Sequence, residues 1–582
     1  MKNKIFIVIF MILGLSVFSQ AAVDLFDPFY EDLNIWENIG LINDTPSIRP
    51  YPLQEIKRIL NHVIENGDEG QQRKAREHLS RFFGRIFHFG GSTHYKFVIQ
   101  NNQKQNQFFL SPLAELNYQI SSFLTVSAYM DLTLFNKLDN KTLLPIYRQS
   151  DKDIADDMGT YLGKFRMLDM FNTSVTIGTP EYYLTAGLAR SSYGPFHDNS
   201  IFVSKDAFHS GQFIFTVNKE KWAYNQMLLL LAATSDNPDN IETDIFPGKF
   251  LASHSLDIRP LPWVTFSLID TMIYGGRFEP IYLIPFSVFY LGQSIYRFPD
   301  NTLIGASFTI KPVKGLRFDS AIYVDDIGLT QIIKFESALW RMSGQFGVSY
   351  SMPKTHWFSY IDLGYTFVMP YMYTHVDHHN HDKPNYQNYT HHGEPIGSNL
   401  PPNSDRIKIK VKFRPIHGFD INFSNTFIRH ANTTESITDT NLLRDYLTKK
   451  YTTDGSVFNH PTITGESSTG ATIWKDHAFL KATPFLTQQT IQYVNQLELE
   501  GVVNLPILKS GGLMQFKLGY IFEANINPGV NKNIYNGKIS ESNLDTTAKI
   551  MEEANKQLKA WREQAVGKEF NHYFKVGVKI SY

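Results

Sequence analysis

Cysteine is missing from all 582 residues, and so is any surplus of charge, 55 basic residues standing against 56 acidic ones. The first absence excludes a disulfide scaffold, thiolate metal sites, thiol catalysis and a lipid-modified N-terminal cysteine. The second argues against a nucleic-acid partner, which requires a basic surplus. Long apolar runs are also lacking: beyond the N-terminus the most apolar stretch, Ile281 to Leu291, is short and contains Pro285. With a mean hydropathy of −0.24, this excludes a polytopic helical membrane protein. Length alone would permit three or four domains at ~100–200 residues each. What the chain has in excess is aromatic: 14% of residues, with 45 Phe and 30 Tyr.

Lys2 and Lys4 precede an apolar run from Ile5 to Phe18, followed by Ser19-Gln20-Ala21-Ala22. That order is a secretory signal peptide over residues 1–22. A membrane anchor is the weaker reading, because the run falls short of the ~20 residues a spanning helix needs. The mature chain is expected to leave the cytoplasm.

After about residue 108 the sequence keeps returning to a period of two. Leu124, Val126, Ala128, Met130, Leu132 and Leu134 form one face; Thr125, Ser127, Tyr129, Asp131 and Thr133 form the other. Ala114, Leu116, Tyr118 and Ile120 alternate with Glu115, Asn117 and Gln119, and Ile407, Ile409, Val411 and Phe413 with Arg406, Lys408, Lys410, Lys412 and Arg414. Alternation of this kind belongs to strands with one apolar and one polar face. A soluble sandwich would share it. Segments of about ten residues, charged rows on the polar face and the aromatic surplus favour a transmembrane barrel with a wet lumen and interfacial girdles.

The last segment is the sharpest: Phe574, Val576, Val578, Ile580 and the terminal Tyr582 share a face opposite Lys575, Gly577, Lys579 and Ser581. It resembles the C-terminal strand by which outer-membrane assembly machinery recognises its clients, so that machinery is an expected partner, beside outer-membrane lipid. Ile258–Pro262, Ile310–Gly315 and Phe413–Gly418 read as short periplasmic turns, since proline cannot donate to a ladder and glycine permits the corner. Long polar segments such as 375–405 and 430–470 read as extracellular loops. At ~26 residues per strand with its share of loop, ~470 residues make about 18 antiparallel strands. The chain thus divides into residues 23–90, a helical periplasmic element, and 91–582, the barrel. In the former, Leu53, Ile56, Ile59, Leu60, Val63 and Ile64 have helical spacing; in the latter, a helix is expected over 543–565, capped by Ser542 with Asp545 three residues on. The location is the outer membrane of a diderm bacterium.

Several phrases resemble the Wzi family of outer-membrane capsule-assembly proteins. They are Leu33-Asn34-Ile35-Trp36-Glu37-Asn38-Ile39-Gly40-Leu41-Ile42 with Arg49-Pro50-Tyr51-Pro52-Leu53; Ala186-Gly187-Leu188-Ala189-Arg190 with Ser192-Tyr193-Gly194-Pro195 and Asn199 to Ser204; Asn301 to Ala306 with Tyr323-Val324-Asp325-Asp326; and His392 to Gly397 with Pro402 to Asp405. The resemblance implies an 18-stranded barrel, a periplasmic helical bundle and a lectin-like hold on surface polysaccharide, an expected partner. It departs at the His-rich loop and the helix over 543–565. The alternative is a porin or solute transporter with the helices as plug.

His375, Asp377, His378, His379, His381 and Asp382, near His391 and His392, are metal-ligand types, but their spacing fits no defined site. No metal and no cofactor is expected, and a solvated, pH-sensitive loop is the simpler reading. Tyr386, Tyr389, His391 and His392 are the candidate glycan contacts, their rings suited to stacking on sugars; Tyr371 and Tyr373 read as interfacial girdle. Arg406, Lys408, Lys410 and Lys412 are expected to line the lumen, with Lys517, Lys575 and Lys579 adding to them. Such a row attracts acidic solutes or pairs with Glu498 and Glu500; pairing is favoured, because like charges across strands destabilise a sheet. No G-x-S-x-G elbow, phosphate loop or H-E-x-x-H is present. His197-Asp198-Asn199-Ser200 resembles barrel-hydrolase residues, but sequence neighbours do not form a triad by themselves. No catalytic residue is assigned and no enzyme is expected.

Overall fold

The computed structural model describes residues 23–136, 144–148, 160–162, 165–234, 245–298, 300–325, 341–375, 384–448, 485–506 and 512–581. The signal segment 1–22, Tyr582 and most of the His-rich run, 376–383, lie outside the described residues.

The alternating segments become strands that close on themselves. Eighteen run antiparallel in chain order around one barrel. The seam joins the first, Phe87–Gln100, to the last, Lys568–Ser581, with Gly90 opposite Ser581 and Phe97 opposite Phe574. Alternation sets the faces. On Leu124–Asn136, Thr125, Ser127 and Thr133 are buried inside while Met130 points outward. Ile407, Leu499, Phe574 and Val576 stand exposed on the exterior in the same way. An apolar exterior around a closed wall suits lipid, and closure leaves no unpaired strand edge in hydrocarbon. No helix among the described residues is long and apolar enough to cross a membrane. The protein is an outer-membrane β-barrel.

Part of the aromatic surplus is a girdle at the short-turn rim, where Phe123, Tyr182, Trp222, Trp263 and Trp357 are exposed. The three proline turns each carry a register shift, at Ile258/Leu261, Ile310/Val313 and Phe413/Ile416. A bulge accommodates the residue that cannot donate. Gly315 (φ 91°) and Gly418 (φ 80°) take the left-handed corners that a side chain would strain.

Three helices occupy the periplasmic mouth: α1 (Pro28–Asn38), α2 (Leu53–Asn66) and α3 (Glu69–Phe83). Asp27 caps α1 by accepting from Phe29 N, and Asp68 with Gln71 forms a capping box on α3. Their apolar faces meet in a core of Phe29, Leu33, Trp36, Ile56, Leu60, Val63 and Phe82. The first barrel strand follows three residues of connection later, at Phe87. Three more helices lie in the long connections: α4 (Phe289–Tyr296) against the outside of the wall, and α5 (Thr440–Thr448) and α6 (Thr547–Ala565) above the barrel. The α6 helix is shorter than its expected span of 543–565. Thr546, not Ser542, is its cap and accepts from Lys549 N, because Glu541–Asn543 forms a separate 3-10 turn. It packs with α5 around Leu443, Tyr446, Ile550 and Trp561.

Candidate functional site

The lumen is filled from both ends. From outside, residues 190–209, 369–375 and 384–403 fold down into it; from below, the link between α1 and α2 rises. They meet in a two-stranded bridge, Ile48 opposite Tyr193 and Arg49 opposite Ser192, with Gly194 N donating to Ser47 O at 3.1 Å. The contact lies low in the barrel, where Ser47 Oγ donates to Asp257 at 2.8 Å. Around it an apolar core runs from Ile48, Tyr193 and Phe202 to wall residues as far apart as Ile214, Leu251, Leu303 and Val494.

Tyr371, Tyr373 and Tyr389 all lie inside the protein, Tyr373 and Tyr389 in this core and Tyr371 in the cluster around α5 and α6. The first two are fully buried and Tyr389 nearly so, so none of them is an interfacial girdle residue or offers a ring to sugar. Tyr389 Oη donates to Phe202 O and Tyr373 Oη to Ile201 O, each at 2.7 Å, and the two rings stack at 5.2 Å. Burial raises both phenols above their ordinary value, which keeps them donors. Pairing each hydroxyl with a carbonyl satisfies plug backbone that has no ladder of its own.

His391 is also interior. Its Nδ1 accepts from Ala232 N and its Nε2 contacts His209 O, both at 2.9 Å, which fixes one neutral tautomer. Burial, then neighbouring His392, pushes it down to about 3, so His391 is neither solvated nor a sensor of mild pH change. Of the four candidate glycan contacts, Tyr386 and His392 remain half-buried near the rim. Tyr386 lies over Gly275, where an added Cβ would come within 2.3 Å of its ring.

The basic row does face the lumen, and most of it is paired, though not with Glu498 or Glu500. Arg406 donates to the amide oxygens of Asn199 (2.6 Å) and Asn399 (3.0 Å). Lys410 pairs with Asp198, which also holds Lys205 at 2.7 Å. Lys412 reaches Glu31 of α1 at 2.6 Å and Asp420 at 3.4 Å, and Arg414 reaches Asp32 at 3.3 Å. Lys412 beside it holds the Glu31 carboxyl below its usual range. Glu498 is taken by Arg148 at 2.9 Å and Glu500 by Asn422 at 3.1 Å. Lys408 has no ion-pair partner among the described residues and is half-buried. Sequence reasoning missed Glu31, Asp32, Asp198, Asn199 and Asn399 as partners; the one available signal was that five inward cations on one strand, Arg406 to Arg414, demand acceptors from elsewhere.

In the segment 197–200, His197 Nδ1 contacts Ser192 Oγ at 2.8 Å and Ser200 Oγ donates to Tyr193 O. His197, Asp198 and Ser200 thus each bond elsewhere and not to one another. On the side of Leu513–Ile526 and Lys568–Ser581 the lumen is less filled. Lys575 and Lys579 are exposed there and Lys517 is half-exposed, around Gly519 and Gly577.

No family model matches the chain, and no curated protein does. Among solved structures it is similar to Wzi of Escherichia coli, an outer-membrane protein involved in group 1 capsule assembly and described as a carbohydrate-binding β-barrel. Identity is 12% over 96% of this chain and 98% of that one, with a TM-score of 0.51. OprD of Pseudomonas aeruginosa aligns at 8% identity over 85% and 95% (TM-score 0.39), and OccK8 (OprE) of the same organism at 7% over 85% and 98% (TM-score 0.41). What the chain shares with Wzi along nearly its whole length is the fold, that of a closed, eighteen-stranded outer-membrane barrel.

Proposed function

We propose that this barrel holds a surface polysaccharide at the outer membrane through its extracellular face, without an enzymatic step. The observation that carries the reading is the plug. A core that joins Ile48 to Val494 through Phe202 and Tyr323 fills the centre of the lumen with packed apolar side chains, which suits a rigid scaffold for loops better than a conduit. The half-buried Tyr386, over Gly275, and His392, beside Phe208, supply a stacking face and a hydrogen-bonding ring on that scaffold. The carbohydrate binding ascribed to Wzi, a barrel of the same fold, supports the same reading. Deleting the gene should release glycan into the medium with synthesis unchanged; cell-bound glycan that stays at its wild-type level would remove the reading.

One observation favours a second reading, a channel for anionic solutes. The helical element bonds to the wall from Gln119 round to Arg414, but among the described residues it makes no hydrogen bond or ion pair with the strands Ile491–Pro506, Leu513–Ile526 and Lys568–Ser581. Lys517, Lys575 and Lys579 face the lumen on that side. Glycan binding and planar-bilayer conductance, measured on the same refolded protein, separate the two: the first reading expects binding and a silent bilayer, the second anion-selective steps.

A further inference from the structure

After Gly275, residues 276–298 fold down the outside of the barrel. The chain passes through the 3-10 turn Pro280–Leu283 and returns upward as α4. In doing so it covers Leu228, Ala252, Met272 and Tyr274, which alternation turns away from the lumen and which are nonetheless 5% exposed or less. Irregular backbone at membrane depth must find hydrogen-bond partners. The wall supplies them: Tyr224 Oη accepts from Phe286 N at 3.2 Å, Asp270 accepts from Phe289 N at 2.8 Å, and Gln226 Nε2 donates to Tyr282 O at 3.4 Å. This accounts for the polar row Gln226, His254 and Asp270 on a face meant for lipid. The flap's own outer surface is apolar, with Phe286 66% and Ile295 75% exposed.

Beside α4, between it and the outward faces of Asn301–Val313 and Leu316–Asp325, lies a groove of about 300 Å³. Ile304 and Val324 form its floor, and Tyr290, Gln293 and Phe298 one wall. Thr302 Oγ1 donates to Gln293 at 2.6 Å, and Arg277 clamps Asp300 through two nitrogens while lying over Phe298, so the walls are fixed. At the extracellular end stands Arg297, exposed, in the left-handed conformation that ends α4 (φ 56°) and without an ion-pair partner among the described residues. The groove opens onto the lipid-facing belt near its outer edge. An unpaired cation at that edge reaches for the headgroup layer.

We propose that this groove binds an anionic phospholipid or lipid A of the outer leaflet, one whose phosphate is not neutralised by a cationic headgroup, with an acyl chain along Ile304 and Val324 and the phosphate on Arg297. This stands independently of whether the barrel holds glycan. The test is native mass spectrometry of the full-length barrel, delipidated and then exposed to phosphatidylcholine, phosphatidylglycerol or lipid A. Wild type should retain the two anionic lipids in preference to phosphatidylcholine. Arg297→Ala should weaken that retention at least about five-fold, by loss of a charge-assisted contact, and Ile304→Trp should lower retention of all three by filling the slot. Arg429→Ala, which removes a cation already paired with Asp405 at 2.5 Å, should change nothing. Unchanged heat-modifiable gel mobility confirms that each variant is folded. Equal retention by wild type and Arg297→Ala, no preference over phosphatidylcholine, or displacement by inorganic phosphate at equal concentration would each overturn the proposal.

Discussion

Replacing Asp32 with alanine should loosen the periplasmic helices while leaving the barrel closed. The carboxylate sits inside the helical element, 2.9 Å from His78 Nε2 and 3.3 Å from an Arg414 nitrogen, and all three are largely shielded from water. Burial works to raise its pKa, but Arg414, Lys74 and His78 together hold it well below the usual carboxylate range. Removing one partner of a buried ionic cluster costs ~3–5 kcal/mol. Arg414 keeps Asp420 at 2.7 Å, so the low end applies, ~3 kcal/mol, or about a 150-fold rise in local opening. Hydrogen-exchange mass spectrometry of residues 28–83 in detergent reads this directly, with the strand amides as internal control. Exchange within about threefold of wild type would refute the reasoning, because opening would then not depend on the cluster. Acid should imitate the variant. His78, lowered by burial despite Asp32, and Asp32 itself both bind fewer protons folded than unfolded. Their contribution is therefore complete above the unfolded His value of 6.5, weakens as pH falls below it, and is lost further below the carboxylate value of 3.8. Protection of α1 to α3 should fall in that order of pH, and in Asp32→Ala the low-pH step should shrink to what Asp27, Glu31 and Glu37, also held below the carboxylate range, still contribute.

Tyr389→Phe removes the hydroxyl that Phe202 O accepts and should destabilise the plug by ~1–3 kcal/mol; faster exchange in residues 190–209, with unchanged exchange in α1 to α3, is the expected signature. Gly90→Val places a Cβ about 2.1 Å from Ile580 O at the seam, so the heat-modifiable folded band should be lost or strongly reduced. Gly275→Val collides with the Tyr386 ring and should lower glycan binding by the refolded barrel under the first functional reading; unchanged binding would exclude Tyr386 from the contact.

The wall was legible in the sequence because its cause is local. Arg406 to Arg414 alternate, and the pleat turns alternation into an inside and an outside with no further information. Trp222 to Thr234 shows where that logic stops. Its run Met227-Leu228-Leu229-Leu230-Leu231 has no period of two, because the plug buries the inner face and the flap covers much of the outer one. The interior was illegible for the opposite reason. Tyrosine serves a membrane interface and a buried carbonyl equally well, so Tyr371 and Tyr373 carried no mark of which they meet. Lys412 and Arg414 share a local partner in Asp420, but their other partners, Glu31 and Asp32, lie on α1 at the far end of the chain, and no pattern around residue 412 points there.

The bridge between Ile48–Arg49 and Ser192–Tyr193 joins segments that belong to opposite sides of a membrane. A loop anchored at the cell surface and a linker anchored in the periplasm share backbone hydrogen bonds inside one wall, so they behave as a tie rod. Force applied to residues 190–209 from outside is delivered to α1 and α2 without any strand of the barrel having to move.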